Sequence, residues 1–202
     1  MSAKLVRVGG GLAAIIGGLL GVIASLMALV FLLPLSLTQN PNGPPSSGII
    51  TLTGLLLILA WVLVLGGLVG LHASQQRVTG PKGEVGFVIA LVGTVLIVGL
   101  LCIQTFYIPI TGNSDIESVV RIVAGGVVLF ASAGWFLFGW GTYMAGIYPR
   151  PAAVLLMVGA VINAFIHLTG GEFIVMSAAI AWLGLFLFRG RGSSEEEPPR
   201  VS

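Results

Sequence analysis

The sequence predicts an all-α integral membrane protein, a single domain built as a bundle of six transmembrane helices, and three observations carry that expectation. Six apolar stretches succeed one another along the chain, separated by short segments rich in proline, glycine or charge. The 202 residues are 56% hydrophobic and only 8% charged, with a mean hydropathy of +1.09, whereas soluble domains carry roughly 25% charged residues. Eight of the nine Lys and Arg residues fall at the N-terminus, after the second and fourth stretches, or in the tail. Excess positive charge marks cytoplasmic loops, so this sorting places both termini in the cytoplasm. Arg121 alone departs from it.

The first span, residues 8–33, follows Lys4 and Arg7 and ends at Pro34. It is too long for the apolar core of a signal peptide, about 7 to 15 residues, and reads as a retained helix. The uncharged segment that follows, PLSLTQNPNGPPSS, reads as an external turn. The second span, residues 48–71, returns to an inner connection with Arg77, Lys82 and Glu84. The third, residues 85–108, stops at Pro109, before an outer loop bearing Asp115 and Glu117, which offset Arg121. The fourth, residues 122–143, leads back toward Arg150. Residues 152–168 and 173–188 form a tight hairpin of two short segments, either crossing fully or turning back inside the protein as a re-entrant pair. Residues 189–202, with Glu195, Glu196 and Glu197 beside two prolines, read as a disordered cytoplasmic tail.

Helices in lipid gain little from hydrophobicity and associate where small residues let backbones approach. Gly9, Ala13, Gly17, Gly21 and Ser25 recur every four residues on the first helix, with Gly10, Ala14 and Gly18 beside them, and Gly66 and Gly70 on the second. These positions are expected to pack helix on helix within the chain. The outward-running helices also share an apolar-Gly-small-apolar-apolar core at residues 16–20, 92–96 and 158–162. That pattern suggests a repeated hairpin.

Intramembrane polar groups are costly, so they are the first place to look for function. Asn163 and His167 lie four apart on one face of the fifth span, and Glu172 follows in the next turn. If the third helix packs alongside, Gln104 and Tyr107 complete a polar pocket near the outer surface. One imidazole and one carboxylate fall short of the three protein ligands of catalytic zinc, and His72 lies at the opposite border from His167, which disfavours bis-histidine haem ligation. The expectation is therefore no catalytic, metal or cofactor site. The single cysteine, Cys102, excludes an internal disulfide. Basic residues scattered singly at membrane borders orient helices and do not form a nucleic-acid surface. The aromatic residues Trp140, Tyr143 and Tyr148 at the inner border, and Phe106 and Tyr107 at the outer, read as interfacial belts.

The stretch from Gly139 to Asn163, GWGTYMAGIYPRPAAVLLMVGAVIN, resembles a hairpin of poorly characterised multi-pass bacterial membrane proteins, in which a glycine-rich helix ends at a Pro-Arg turn and an aliphatic helix follows. The resemblance implies a bacterial inner membrane and carries no activity or ligand.

These features rank three functions. First stands a non-enzymatic integral membrane protein that binds a protein partner or lipid through its small-residue helix faces, alone or as a homo-oligomer. An oligomeric small-solute permease, joined through Gly17 and Gly21, comes second, because charged coupling residues at mid-membrane depth are lacking. An outer-face enzyme or metal site using His167 and Glu172 comes last, since it has no nucleophile or carboxylate pair.

Overall fold

The structure, a computed structural model, describes residues 3–32, 47–76, 78, 80–111, 114–166 and 173–189, and all elements among them are helical. Six principal helices follow the six apolar stretches: α1 (Ala3–Met27), α2 (Ser47–Gln75), α3 (Pro81–Cys102), α4 (Ser114–Ala145), α5 (Arg150–Ile166) and α6 (Phe173–Arg189). α1 runs on into a π-helical turn, Ala28–Leu32. α3 runs into another, Ile103–Tyr107, and a last helical turn, Ile108–Thr111. Four of the helices, α1 to α4, are long and apolar enough to cross a membrane, with apolar spans of 24, 28, 25 and 31 residues, while α5 and α6 have 17 residues each. The chain is a membrane helix bundle.

Two boundaries differ from expectation, each for a local reason. α4 begins at Ser114, eight residues before the apolar run, because Asp115 and Glu117 sit in its first turn, where carboxylates meet the positive end of the helix dipole. Glu117 and Arg121 are therefore helical neighbours at i and i+4, with an exposed ion pair of 2.8 Å, and not partners in a loop. Proline at 109 does not end α3. The π turn before it shifts the hydrogen-bond register, so that the Ile108 N–H donates to Ile103 O and the helix continues.

Each helix packs against its neighbours in the chain, and α1 also packs on α6, which closes the six into a ring; α2 reaches α6 as well. The seams run antiparallel. The Cβ of an alanine at Gly10 would lie 2.5 Å from the Gly70 Cα, and one at Gly17 2.9 Å from the Val64 N. On the other side of α1, the Cβ positions at Gly11 and Gly18 come within 2.7 Å of α6, at the Phe188 N and the Ala181 N. Two rows of small residues on one helix thus serve two seams.

The expected repeat takes physical form here. Gly17, Gly93 and Gly159 each meet the next helix closely, with Cβ positions 2.9 Å from the Val64 N, 2.6 Å from the Ala131 Cα and 2.8 Å from the Met176 N. Three residues earlier the odd helices bury Ala14, Ala90 and Leu156 at matching positions. Their partners bury Val64, Ala131 and Met176, then Leu68, Trp135 and Ile180, then Leu71, Phe138 and Leu183. Three helical hairpins therefore share one packing register. The filled centre they make is held by dispersion among large side chains, with Trp135 edge-on to Phe138 at 6.1 Å.

Candidate functional site

Of the residues expected to form an outer pocket, the structure describes Asn163, Gln104 and Tyr107, and it sets Asn163 apart from the other two. Asn163 is fully buried on α5, and its Nδ2 donates to Ser132 Oγ of α4 at 2.9 Å. Its Oδ1 is buried with no hydrogen-bond partner among the described residues. α4 stands between α3 and α5 in the ring, so Gln104 and Tyr107 lie elsewhere, exposed on the π turn of α3. Between them, Thr105 points inward against Gly54 of α2. His167 and Glu172 lie outside the described residues, as do the segment 33–46 and the tail from residue 190.

The packing positions fare differently from one another. Gly17, Gly21, Ser25 and Gly70 are buried, Ala13 is half-buried against the exposed Gly66, and Gly9 faces open space. The adjacent row, Gly10, Ala14 and Gly18, lies tight against the backbones of α2 and α6. Because Gly17 and Gly21 close seams inside the chain, they are not available to join two copies.

A second polar cluster, which sequence reading missed, lies at the opposite end of the bundle, where Arg7, Arg150 and Arg189 are found. Gln75 is fully buried near the end of α2, and its Nε2 donates to Thr142 Oγ1 of α4 at 3.2 Å. The Thr142 hydroxyl already donates to Phe138 O at 2.9 Å, which leaves its lone pair for Gln75. The same division of labour recurs at mid-bundle, where Thr94 donates to Ala90 O at 2.7 Å and accepts from Trp135 Nε1 at 3.1 Å. Ser74 donates to Leu71 O at 2.7 Å and pairs with the Tyr148 hydroxyl, which is then the donor.

Tyr148 is consequently a core residue at 5% exposure, in place of the belt position expected for it; Trp140, at 44%, does face outward. Burial pushes the Tyr148 phenol above its ordinary value, while the bond to Ser74 and the nearby Arg7 pull it down. Nearby, the Arg150 guanidinium lies 5.8 Å above the Tyr143 ring. His72 stacks on Phe87 of α3 at 3.8 Å and 7°, across the α2–α3 seam. The available signal was spacing: Gln75 and Thr142 occupy the same place in two hairpins, but that is visible only once the register between hairpins is known.

Chemically, these groups tie helices together. Thr94, Thr142 and Ser74 each donate to a carbonyl of their own helix and accept from a donor on another segment, the arrangement that lets polar residues join helices in lipid. Among the described residues no group of three His, Cys, Asp or Glu side chains could hold a metal ion. Between α1, α2 and α6 a cavity of about 10 Å³, lined by Gly17, Gly21, Ala60, Trp61, Phe173 and Ser177, has room for a single water at most. Comparison with protein-family models, curated proteins and solved structures finds no match to this chain.

Proposed function

We propose that this chain is a non-enzymatic integral membrane protein of a bacterial inner membrane, with six spans and both termini cytoplasmic, that acts by binding a membrane-protein partner or lipid on its outer helical surface. The observation that carries this reading is the filled centre. Leu68, Trp135, Phe138, Leu156, Ile180 and Leu183 are all buried at 1% exposure or less, so the ring encloses side chains where a pathway would need space. What remains for recognition is the outside.

The small-residue faces of α1 and α2 are occupied within the chain, which moves the expected partner contact to exposed small positions on other helices. Gly99 on α3 and Gly126 on α4 have open space where a Cβ would stand, and Leu129 and Phe130 beside Gly126 are exposed. A photo-reactive amino acid placed at Gly126, with the protein in its own membrane, is expected to yield a discrete cross-linked partner or lipid adduct. Solute uptake by proteoliposomes holding the purified protein, with no adduct in the membrane, would instead favour the permease.

A further inference from the structure

Cations that are single and scattered along the sequence converge in the fold. Arg7 lies in the second turn of α1, Arg189 is the last residue of α6, and Arg150 is the first of α5. These helices are consecutive in the ring, α5 beside α6 and α6 beside α1, and their antiparallel course brings the three ends to the same end of the bundle, with α6 in the middle. The contact of Gly11 with Phe188 puts Arg7 within about one helical turn of the height of Arg189. Arg7 also acts electrostatically on Tyr148, two residues from Arg150.

Below the arginines the surface turns apolar. Phe188 is 46% exposed beside Arg189, and Val154 is 41% exposed one turn from Arg150. Trp140 is 44% exposed one turn from Tyr143, whose ring lies under Arg150. A cluster of cations directly above lipid-facing side chains has the amphipathic form of one ligand class. We propose that this end of α1, α5 and α6 is a docking site for an anionic phospholipid, with its phosphate held by Arg150 and Arg189, assisted by Arg7, and its acyl chains against Phe188 and Val154. Arg is suited to this role because its planar fork can bond two phosphate oxygens at once.

This inference rests on the reading of the outer surface as the binding surface, and names lipid as the ligand there. The test uses the full-length protein in phosphatidylcholine nanodiscs, titrated with phosphatidylglycerol and read by native mass spectrometry of retained lipid. Each arginine near a membrane surface contributes about a fivefold preference for anionic lipid, so Arg150→Gln with Arg189→Gln is expected to weaken retention roughly 30-fold. Arg121→Gln, at the other end, should leave it unchanged. Equal retention by wild type and the double variant, or an equal loss in Arg121→Gln, overturns the site. The run Glu195–Glu197, six residues beyond Arg189, could instead neutralise the cluster. In that case truncation after Gly192 would raise retention several-fold in wild type, and the tail, not lipid, would be the native occupant. Cross-linking from Gly126 addresses the broader reading separately, because that position lies on a different helix, α4.

Discussion

At the scale of single residues, what distinguishes one glycine from the next is the atom that faces it. Gly10 and Gly9 are adjacent on α1, yet a Cβ at Gly10 would stand 2.5 Å from a backbone carbon that has no side chain to rotate aside, while one at Gly9 meets nothing. Gly10→Ala is expected to cost about 1 to 3 kcal/mol, by overpacking, and to lower folded yield in detergent. Gly9→Ala should be neutral or slightly stabilising, through higher helix propensity. Equal loss in both, measured as resistance to denaturant, would sink the assignment of the tight row.

Tyr148 supplies a pH test at the same scale. Its pKa in the fold is raised, so the folded state holds the phenolic proton to higher pH than the unfolded chain does. The stability of the neutral, Ser74-bonded form is complete below about pH 10 and is lost as pH rises through the raised value. Tyr148→Phe should lower stability by about 1 kcal/mol at neutral pH, and flatten the alkaline decline seen in wild-type melting. A decline of equal steepness in both proteins would assign it to other groups. Asn163 and Tyr148 mark the limit of sequence reading here. Their polarity was plain, but the donor or acceptor each one finds, Ser132 and Ser74, comes from another helix.

At the scale of elements, the apolar runs located every helix, because a long uncharged run can satisfy its backbone in lipid only by coiling on itself. The ends were less legible. α4 starts early on dipole and ion-pair terms, and α3 passes Pro109 through a change of helix type that no hydropathy pattern records. That π turn has a consequence for the seam, because it aims Thr105 at Gly54, where an added Cβ would fall 2.8 Å from the Thr105 methyl. Gly54→Ala should therefore force Thr105 out of place and destabilise the protein by about 1 to 3 kcal/mol. Pairing it with Thr105→Ala, which removes both that methyl and the nearer hydroxyl, should recover part of the loss in a thermal melt. No recovery in the double variant would mean that the two helices do not meet there.

At the scale of the whole molecule, the repeat is where sequence and fold inform each other most. The shared pentapeptide at residues 16–20, 92–96 and 158–162 becomes a shared register only when the partner helices are seen to bury matched triplets. Those triplets differ in identity, Leu68 against Trp135 against Ile180, so composition hides an equivalence that geometry preserves. Topology belongs to this scale too. Reporter fusions at Gly80 and Ser202 are expected to report a cytoplasmic location and fusions at Ser47 and Asn113 an external one. An external signal from Ser202 with the others unchanged would mean that the last hairpin contributes an odd number of crossings.

The length of α4 has a mechanical consequence for the surrounding lipid. Its 32 residues make about 48 Å of helix, longer than a hydrocarbon layer about 30 Å thick. Such a helix must lean from the bilayer normal or carry its acidic first turn, with Asp115 and Glu117, out into the headgroup region. The rim beside α4 thus couples the protein to membrane thickness, because a thicker bilayer covers more of the helix and relieves its lean.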